Sequence, residues 1–265
     1  MRILITNDDG IDAPGLIALA EAVRAHGFNP VVAAPAEEAS GMSAALTAVT
    51  DRGRITFRKK PHGYGVAASP AYIVVLAALG VFGPPPQIVL SGINRGANTG
   101  TAVLHSGTVG AALTAANHGA RGLAVSLDVL TPGNTGPLTL AEDAALPWPT
   151  AATLAAGLLD WLAGTPPGTV ANLNVPDRPT AEIRHATLAT AGQVRMAVAE
   201  QGEDFARLTF ERGAAPAPGS DVVLLAQGYA TLTALRPVAE ATGVLIPAQR
   251  AAPPAVTPEP GRVTG

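Results

Sequence analysis

MRILITNDDGIDAPG, residues 1–15, sets a short apolar run against an acidic turn. Residues 2–6 have strand length and strand composition, and Asn7, Asp8, Asp9 and Gly10 end the run at once with turn-forming residues. Pro14 then opens a segment in which Leu16, Ile17, Leu19, Ala20 and Val23 recur at helical spacing until Gly27 can cap it. Strand, polar turn and helix in that order form the first unit of a parallel sheet with crossover helices.

The same rhythm returns downstream. Residues 30–34, 87–91 and 122–127 are apolar runs that end in polar or glycine-rich loops, and residues 70–79, 108–118 and 151–162 read as helices. Residues 45–66 read as short strands or a hairpin, and residues 169–175 as a buried strand. Residues 131–149 collect Pro, Gly, Thr and Asn without periodicity, which predicts a surface loop. From 181 to 238 the alternation is closer to a strand period, clearest at 222–225 and 229–235, which predicts an appended β-rich extension or arm serving subunit contact. The Pro-rich residues 251–265 are expected to be a flexible tail. Residues 1–250 are expected to form one α/β domain.

Composition narrows the function. Of 265 residues 48% are hydrophobic and only 14% charged, and 17 Lys and Arg against 20 Asp and Glu leave a formal net charge of −3. That balance provides no basic field for a nucleic-acid backbone. The chain has no cysteine, which excludes disulfides, thiolate zinc sites, iron–sulfur clusters and a cysteine nucleophile, and leaves oxygen or imidazole to hold any metal. A secretory signal needs an apolar core of roughly 7 to 15 residues behind a basic start, and here Asn7, Asp8 and Asp9 interrupt. The most apolar stretch, 71–82, is broken by Gly80 and falls short of the roughly 20 residues that cross a bilayer. The expectation is a soluble, cytoplasmic protein whose mature chain begins at Met1.

Asp8 and Asp9 directly follow the first strand, where ligands of open α/β sheets bind. Two carboxylates about 4 Å apart at an effective dielectric near 20 repel by roughly 4 kcal/mol, so convergence of the pair implies a cation or a shared proton. The alternative is a diverging pair of solvated turn or cap residues. Ser40 in the loop after the second strand and Asn94 in the loop after residues 87–91 are expected at the same sheet edge. Together the four supply two carboxylates, a hydroxyl and an amide oxygen, an all-oxygen set suited to Mg²⁺ or Mn²⁺. Singly, Ser40 and Asn94 are ordinary turn or cap residues, and only their convergence argues for metal. Ser106, Gly107 and Thr108 precede or open a helix, and such a start presents free N–H groups to an anion or is simply an N-cap.

Absent motifs narrow the choice further. The chain has no GxGxxG fingerprint after residues 2–6, no Walker A lysine, no HExxH and no GxSxG. The five histidines are scattered, and His105 beside Ser106 is the one placed to act on a leaving group.

The segments MRILITNDDGIDAPG, APAEEASG, SGINRGANTG, HSGTVGAA and NLNVPD closely resemble, in order and spacing, the SurE survival-protein family. The weaker GSD at 219–221 and GYATLTAL at 228–235 extend the likeness. The resemblance implies a Rossmann-like core and a metal-dependent phosphatase, a 5′-nucleotidase acting on nucleoside monophosphates and in some members on polyphosphate. It also implies a C-terminal region used in homodimer or homotetramer assembly. Its metal ligands map onto Asp8, Asp9, Ser40 and Asn94, and its phosphate contacts onto Asn98, Ser106, Gly107 and Thr108. The chain departs from the family pattern at Thr101 and Ala102, where an acidic pair is common, and at His105, where Tyr is common. It reads ASPAYI at 68–73 where members often show GTPxDC, and Met42, Ser43 and Ala44 follow the Ser40 loop in place of a more polar run.

The mechanism this implies is phosphomonoester hydrolysis by direct attack of water, with Asp8 or Asp9 as base and Asn98 with the helix start holding phosphoryl charge. One competing reading is a metal- and nucleotide-binding protein without turnover. The other is a receiver-like signalling module, which lacks a phosphoacceptor Asp because Asn94 stands in that loop.

Overall fold

The structure is a computed structural model that describes residues 1–38, 41–129, 139–190, 194–202, 204–212 and 215–240. Its first unit follows the order read from residues 1–15: β1 (Ile3–Thr6), a turn, and α1 (Pro14–Ala25). Pro14 takes the first helical turn, where its missing N–H costs nothing. The chain continues through β2 (Val31–Pro35), β3 (Thr50–Asp51), β4 (Arg54–Ile55), β5 (Phe57–Lys59) and β6 (Tyr64–Val66). Next come α2 (Pro70–Ala78), β7 (Ile88–Arg95), a 3₁₀ turn at Gly100–His105, α3 (Gly107–Asn117) and β8 (Arg121–Asp128). α4 (Leu140–Ala144), α5 (Trp148–Gly157), α6 (Leu159–Gly164) and β9 (Val170–Pro176) lead into the C-terminal part. That part holds β10 (Ile183–His185), β11 (Val194–Gln201), β12 (Ala206–Arg212), α7 (Asp221–Ala226) and β13 (Ala230–Leu235).

Nine strands form one sheet in the order β10-β13-β9-β8-β7-β1-β2-β6-β5. The central pairs from β6 to β9 are parallel, while β13 runs antiparallel to β9 and β5 antiparallel to β6. The fold is therefore α/β, a mostly parallel sheet flanked by helices. Successive residues of β1 face opposite layers, which explains its unbroken apolar run. Ile3 and Ile5 pack with Leu16, Leu19, Val23, Trp148 and Ala151, and Leu4 packs with Ile73, Val74, Ala111 and Ala115. Leu19 is fully buried in the first layer, and its truncation to Ala costs about 2 to 5 kcal/mol.

The structure corrects the sequence reading in three places. Within the stretch read as a surface loop, Thr139 and Glu142 form a capping box that starts α4. In the same stretch, Trp148 is 4% exposed in the core and its indole N–H donates to the Asp143 carbonyl at 2.7 Å. Residues 222–225, read as a strand run, lie in α7, because Ser220 and Asp221 form a helix start that the four-residue apolar run conceals. Residues 229–235 do form a strand, but β13 extends the main sheet beside β9 and belongs to no separate sheet. The helix read at 151–162 is two helices, α5 and α6. An arm does exist: β11 and β12 form their own antiparallel pair. The expected tail at 251–265 lies outside the described residues.

Candidate active site

β1 is the point where the strand order reverses, since the chain moves to β2 on one side and later to β7 on the other. In open α/β sheets a crevice forms beyond the strand carboxyl ends at such a point. Here it is a cavity of about 330 Å³ whose wall includes Asp8, Asp9, Glu38, Asn94, Asn98 and Ser106. Arg95, Ala102, His105 and Gly107 also reach it.

The acidic wall is built by the turn after β1. Asn7 is fully buried and spends its amide on Gly10, donating from Nδ2 to the carbonyl at 3.0 Å and accepting the Gly10 N–H on Oδ1 at 3.1 Å. This closes the turn and turns Asp8 and Asp9 to the cavity. Asp8 is 4% exposed. Burial pushes its carboxyl above the ordinary value, opposed by a hydrogen bond of 2.5 Å from the Thr108 hydroxyl. Burial first and the neighbouring Asp8 second push Asp9 up to about 7, and Arg95 opposes them. Both shifts run in the direction expected of converging carboxylates held out of water without a compensating cation.

Arg95 sits at the end of β7 with its Nε 3.0 Å from Asp143 of α4, an ion pair without hydrogen-bond alignment. The neighbouring Asn94 gives its Nδ2 to the carbonyls of Arg95 and Gly96, at 3.3 and 2.8 Å. Its amide orientation is thereby fixed, and Oδ1 is left to accept from or coordinate what enters the cavity.

The opposite wall is made of amides and a helix start. The Asn98 backbone N–H donates to Asn174 Oδ1 at 2.7 Å, and its carbonyl accepts from Asn172 Nδ2 at 2.8 Å and Asn174 Nδ2 at 2.9 Å. Its side chain donates to Ser126 Oγ at 2.8 Å. Ser106 caps α3 by accepting the Val109 N–H at 3.1 Å. Gly107 stands where any larger residue collides with the acidic wall, since a Cβ there would lie 2.8 Å from Asp8 Oδ2. The two walls therefore touch at Asp8 and the first turn of α3.

Of the residues singled out in the sequence, Asp8, Asp9, Asn94, Asn98, Ser106 and Gly107 come together around one cavity. Ser40 lies outside the described residues. Thr108 is fully buried with its hydroxyl on Asp8, and its backbone N–H is also turned to that carboxylate. It supports Asp8 and does not line the cavity. Sequence reasoning missed Glu38 and Arg95 as lining residues and Ser126, Asn172 and Asn174 as the scaffold of Asn98. The alternation of two asparagines in NLNVPD, both on one face of a buried strand, is the signal that marks the scaffold. Among the described residues no three His, Cys, Asp or Glu side chains cluster at metal-ligand spacing, so an oxygen site here needs the Asn94 amide and further donors. The donor chemistry fits a hard divalent cation: two carboxylates held above their ordinary pKa, with an amide oxygen beside them.

The fold and this edge define an α/β protein with an acidic pocket facing a helix N-terminus. Residues 3–198 match the family model described as Survival protein SurE. The chain is similar to the 5′-nucleotidase SurE of Solidesulfovibrio magneticus, with 37% identity over 89% of this chain and 91% of the relative. It is also similar to the one from Geotalea uraniireducens, with 39% identity over 73% of each. The crystal structure of the SurE protein from Aquifex aeolicus superposes with a TM-score of 0.70 at 26% identity, covering 89% of this chain and 93% of that one. The chain belongs to the SurE survival-protein family.

Proposed function

We propose that this chain is a divalent-metal-dependent phosphomonoester hydrolase, a 5′-nucleotidase that releases phosphate from nucleoside monophosphates, with polyphosphate as a further substrate. The observation that carries the reading is the pairing of two buried, mutually raised carboxylates with a capped helix start across one cavity. Relatives named 5′-nucleotidase SurE over most of the chain support it.

Asp8, Asp9, Ser40 and Asn94 are the residues proposed to hold one Mg²⁺ or Mn²⁺. When bound, such an ion offsets the carboxylate charge and polarises a phosphoryl oxygen. The chain's own groups supply the rest. Asp9, held near neutrality, is placed to take a proton from an attacking water. Asn98 and the N–H groups at Ser106 and Gly107 are placed to hold charge on the phosphoryl oxygens. Arg95 adds a permanent positive charge on the cavity wall, anchored by Asp143. A second groove of about 520 Å³, lined by Met42, Val49 and Val66 among others, shares Glu38 with the cavity and has room for an organic leaving group.

The β11–β12 arm supports assembly into a homodimer or homotetramer. A two-stranded hairpin is marginal alone in water, and Val198 and Phe205 on it are exposed. Among the described residues no helix is long and apolar enough to cross a membrane, which agrees with the proposed cytoplasmic location.

The test is phosphate release from a panel of nucleoside 5′- and 3′-monophosphates with Mn²⁺, Mg²⁺ or EDTA, for wild type beside Asp8→Ala. Release that needs both the ion and Asp8 is the expected result. Metal binding without release from any nucleotide or polyphosphate overturns the hydrolase in favour of a binding protein, and points to Thr101, Ala102 and His105.

A further inference from the structure

Asp221 opens α7 far from the acidic wall, and its side chain is fully buried. Among the described residues it faces no cation. Its carboxylate is instead held by three backbone N–H groups: Gly100 donates to Oδ2 at 2.7 Å, and Ala189 and Val222 donate to Oδ1 at 3.0 and 2.9 Å. Charge-assisted bonds of this kind offset the cost of burying an unpaired carboxylate. A neutral hydrophobe at this position would leave those N–H groups orphaned.

The Gly100 bond joins parts of the chain separated by 121 residues. Gly100 is the first residue of the 3₁₀ turn at Gly100–His105, and that turn runs directly into Ser106, the cap of α3. Ala102, His105, Ser106 and Gly107 all line the cavity. Gly100 is also gripped from a second direction. It adopts φ +54°, and a Cβ on it would lie 2.8 Å from the carbonyl oxygen of Ala189, the residue whose N–H is bound by the same carboxylate. The turn is thus seated against a platform made by Ala189 and Asp221.

We propose that Asp221 is a positioning residue of the phosphomonoester site: acting from the C-terminal part, it fixes the 100–106 turn, and with it the start of α3 and His105, at the distance from Asp8 that substrate phosphate requires. The substrate in this statement rests on the function proposed above. The C-terminal part accordingly completes the site within one chain, in addition to any role in assembly.

Asp221→Asn tests this with little change of shape. The amide keeps an oxygen for the two donors on the Oδ1 side and presents its NH₂ to the Gly100 N–H, donor against donor. Gly100→Ala attacks the same seat from the other side and leaves the carboxylate intact. Both variants are expected to speed hydrogen exchange of the Gly100–Ser106 amides by about tenfold or more, with β7 and β8 unchanged. With a nucleoside 5′-monophosphate and Mn²⁺, both are expected to raise KM by about tenfold while kcat stays within about threefold.

A folded variant of either kind with wild-type exchange over 100–106 and wild-type KM overturns the proposal. If Asp221→Asn fails to fold, Gly100→Ala decides alone, and loss of the fold in both makes Asp221 a residue of the whole core and also overturns it. A wild-type chain that releases no phosphate counts against the proposed function. The exchange data, which need no turnover, still judge the seat.

Discussion

The two walls of the cavity solve opposite problems. On the acidic side Asp8 and Asp9 are pushed above their ordinary pKa by burial and by each other, so the folded chain carries an electrostatic cost there. On the amide side the backbone of Asn98 makes three hydrogen bonds to Asn172 and Asn174, and its side chain a fourth to Ser126. One wall is incomplete until a cation arrives, and the other is finished in advance. The difference teaches where binding energy goes: a ligand gains from relieving repulsion at one wall and from needing no reorganisation at the other.

The sharpest way to break the comparison is to remove charge from the acidic wall. Asp9→Asn keeps size and loses the carboxylate, and kcat/KM for a nucleoside monophosphate is expected to fall by about 10³-fold or more, measured with saturating Mn²⁺. The same variant tests the cost itself. In the folded chain Asp9 titrates at about 7 against an ordinary value of 3.8. The unfolded chain therefore releases that proton near pH 4 and the folded chain near 7, so stability falls as pH rises across this window and levels off above it. In EDTA, Asp9→Asn is expected to remove that slope and stabilise the chain at pH 8 by on the order of 2 to 4 kcal/mol. Denaturant unfolding at pH 5 and pH 8 reads this directly, and equal stabilities at pH 8 would mean that the acidic wall carries no cost.

At the amide wall the sign reverses. Asn174→Ala strips a partner from both the N–H and the carbonyl of Asn98, which are buried. The expected loss is about 1 to 3 kcal/mol of stability, the penalty for orphaned backbone groups. Thermal or denaturant unfolding checks it, and a variant as stable as wild type would show that the wall is not preorganised by this strand.

How much of this was legible in the sequence follows the range of the interactions. β1, α1, β2, α2 and α3 are written in local periodicity and end signals, and their bounds fall within a few residues of the reading. Asp8, Asp9 and Asn94 were legible because the sheet edge collects whatever follows each strand. What was not legible depends on distant partners. Asp221 hides in a run that looks like a strand, and its meaning appears only with Gly100 beside it. Asn172 and Asn174 interrupt an apolar strand for the sake of a loop more than 70 residues earlier. Trp148 sits among loop-forming prolines, and only α1 and the sheet packed around it show that it belongs to the core. The capping box of α4 was visible in Thr139 and Glu142, and the surrounding Pro and Gly obscured it.

The smallest effect is expected where the walls meet the 3₁₀ turn. His105 lines the cavity at the end of that turn and is exposed, with Ala102 beside it. It holds neither the carboxylate pair nor Asn98, and the resemblance places Tyr at this position. His105→Tyr is therefore expected to change kcat/KM by no more than about threefold, since it removes no charge from the acidic wall and no bond from the amide wall. A loss comparable to that of Asp9→Asn in the same assay would move the chemistry onto the turn, and the division between a charged wall and a finished wall would no longer describe the site.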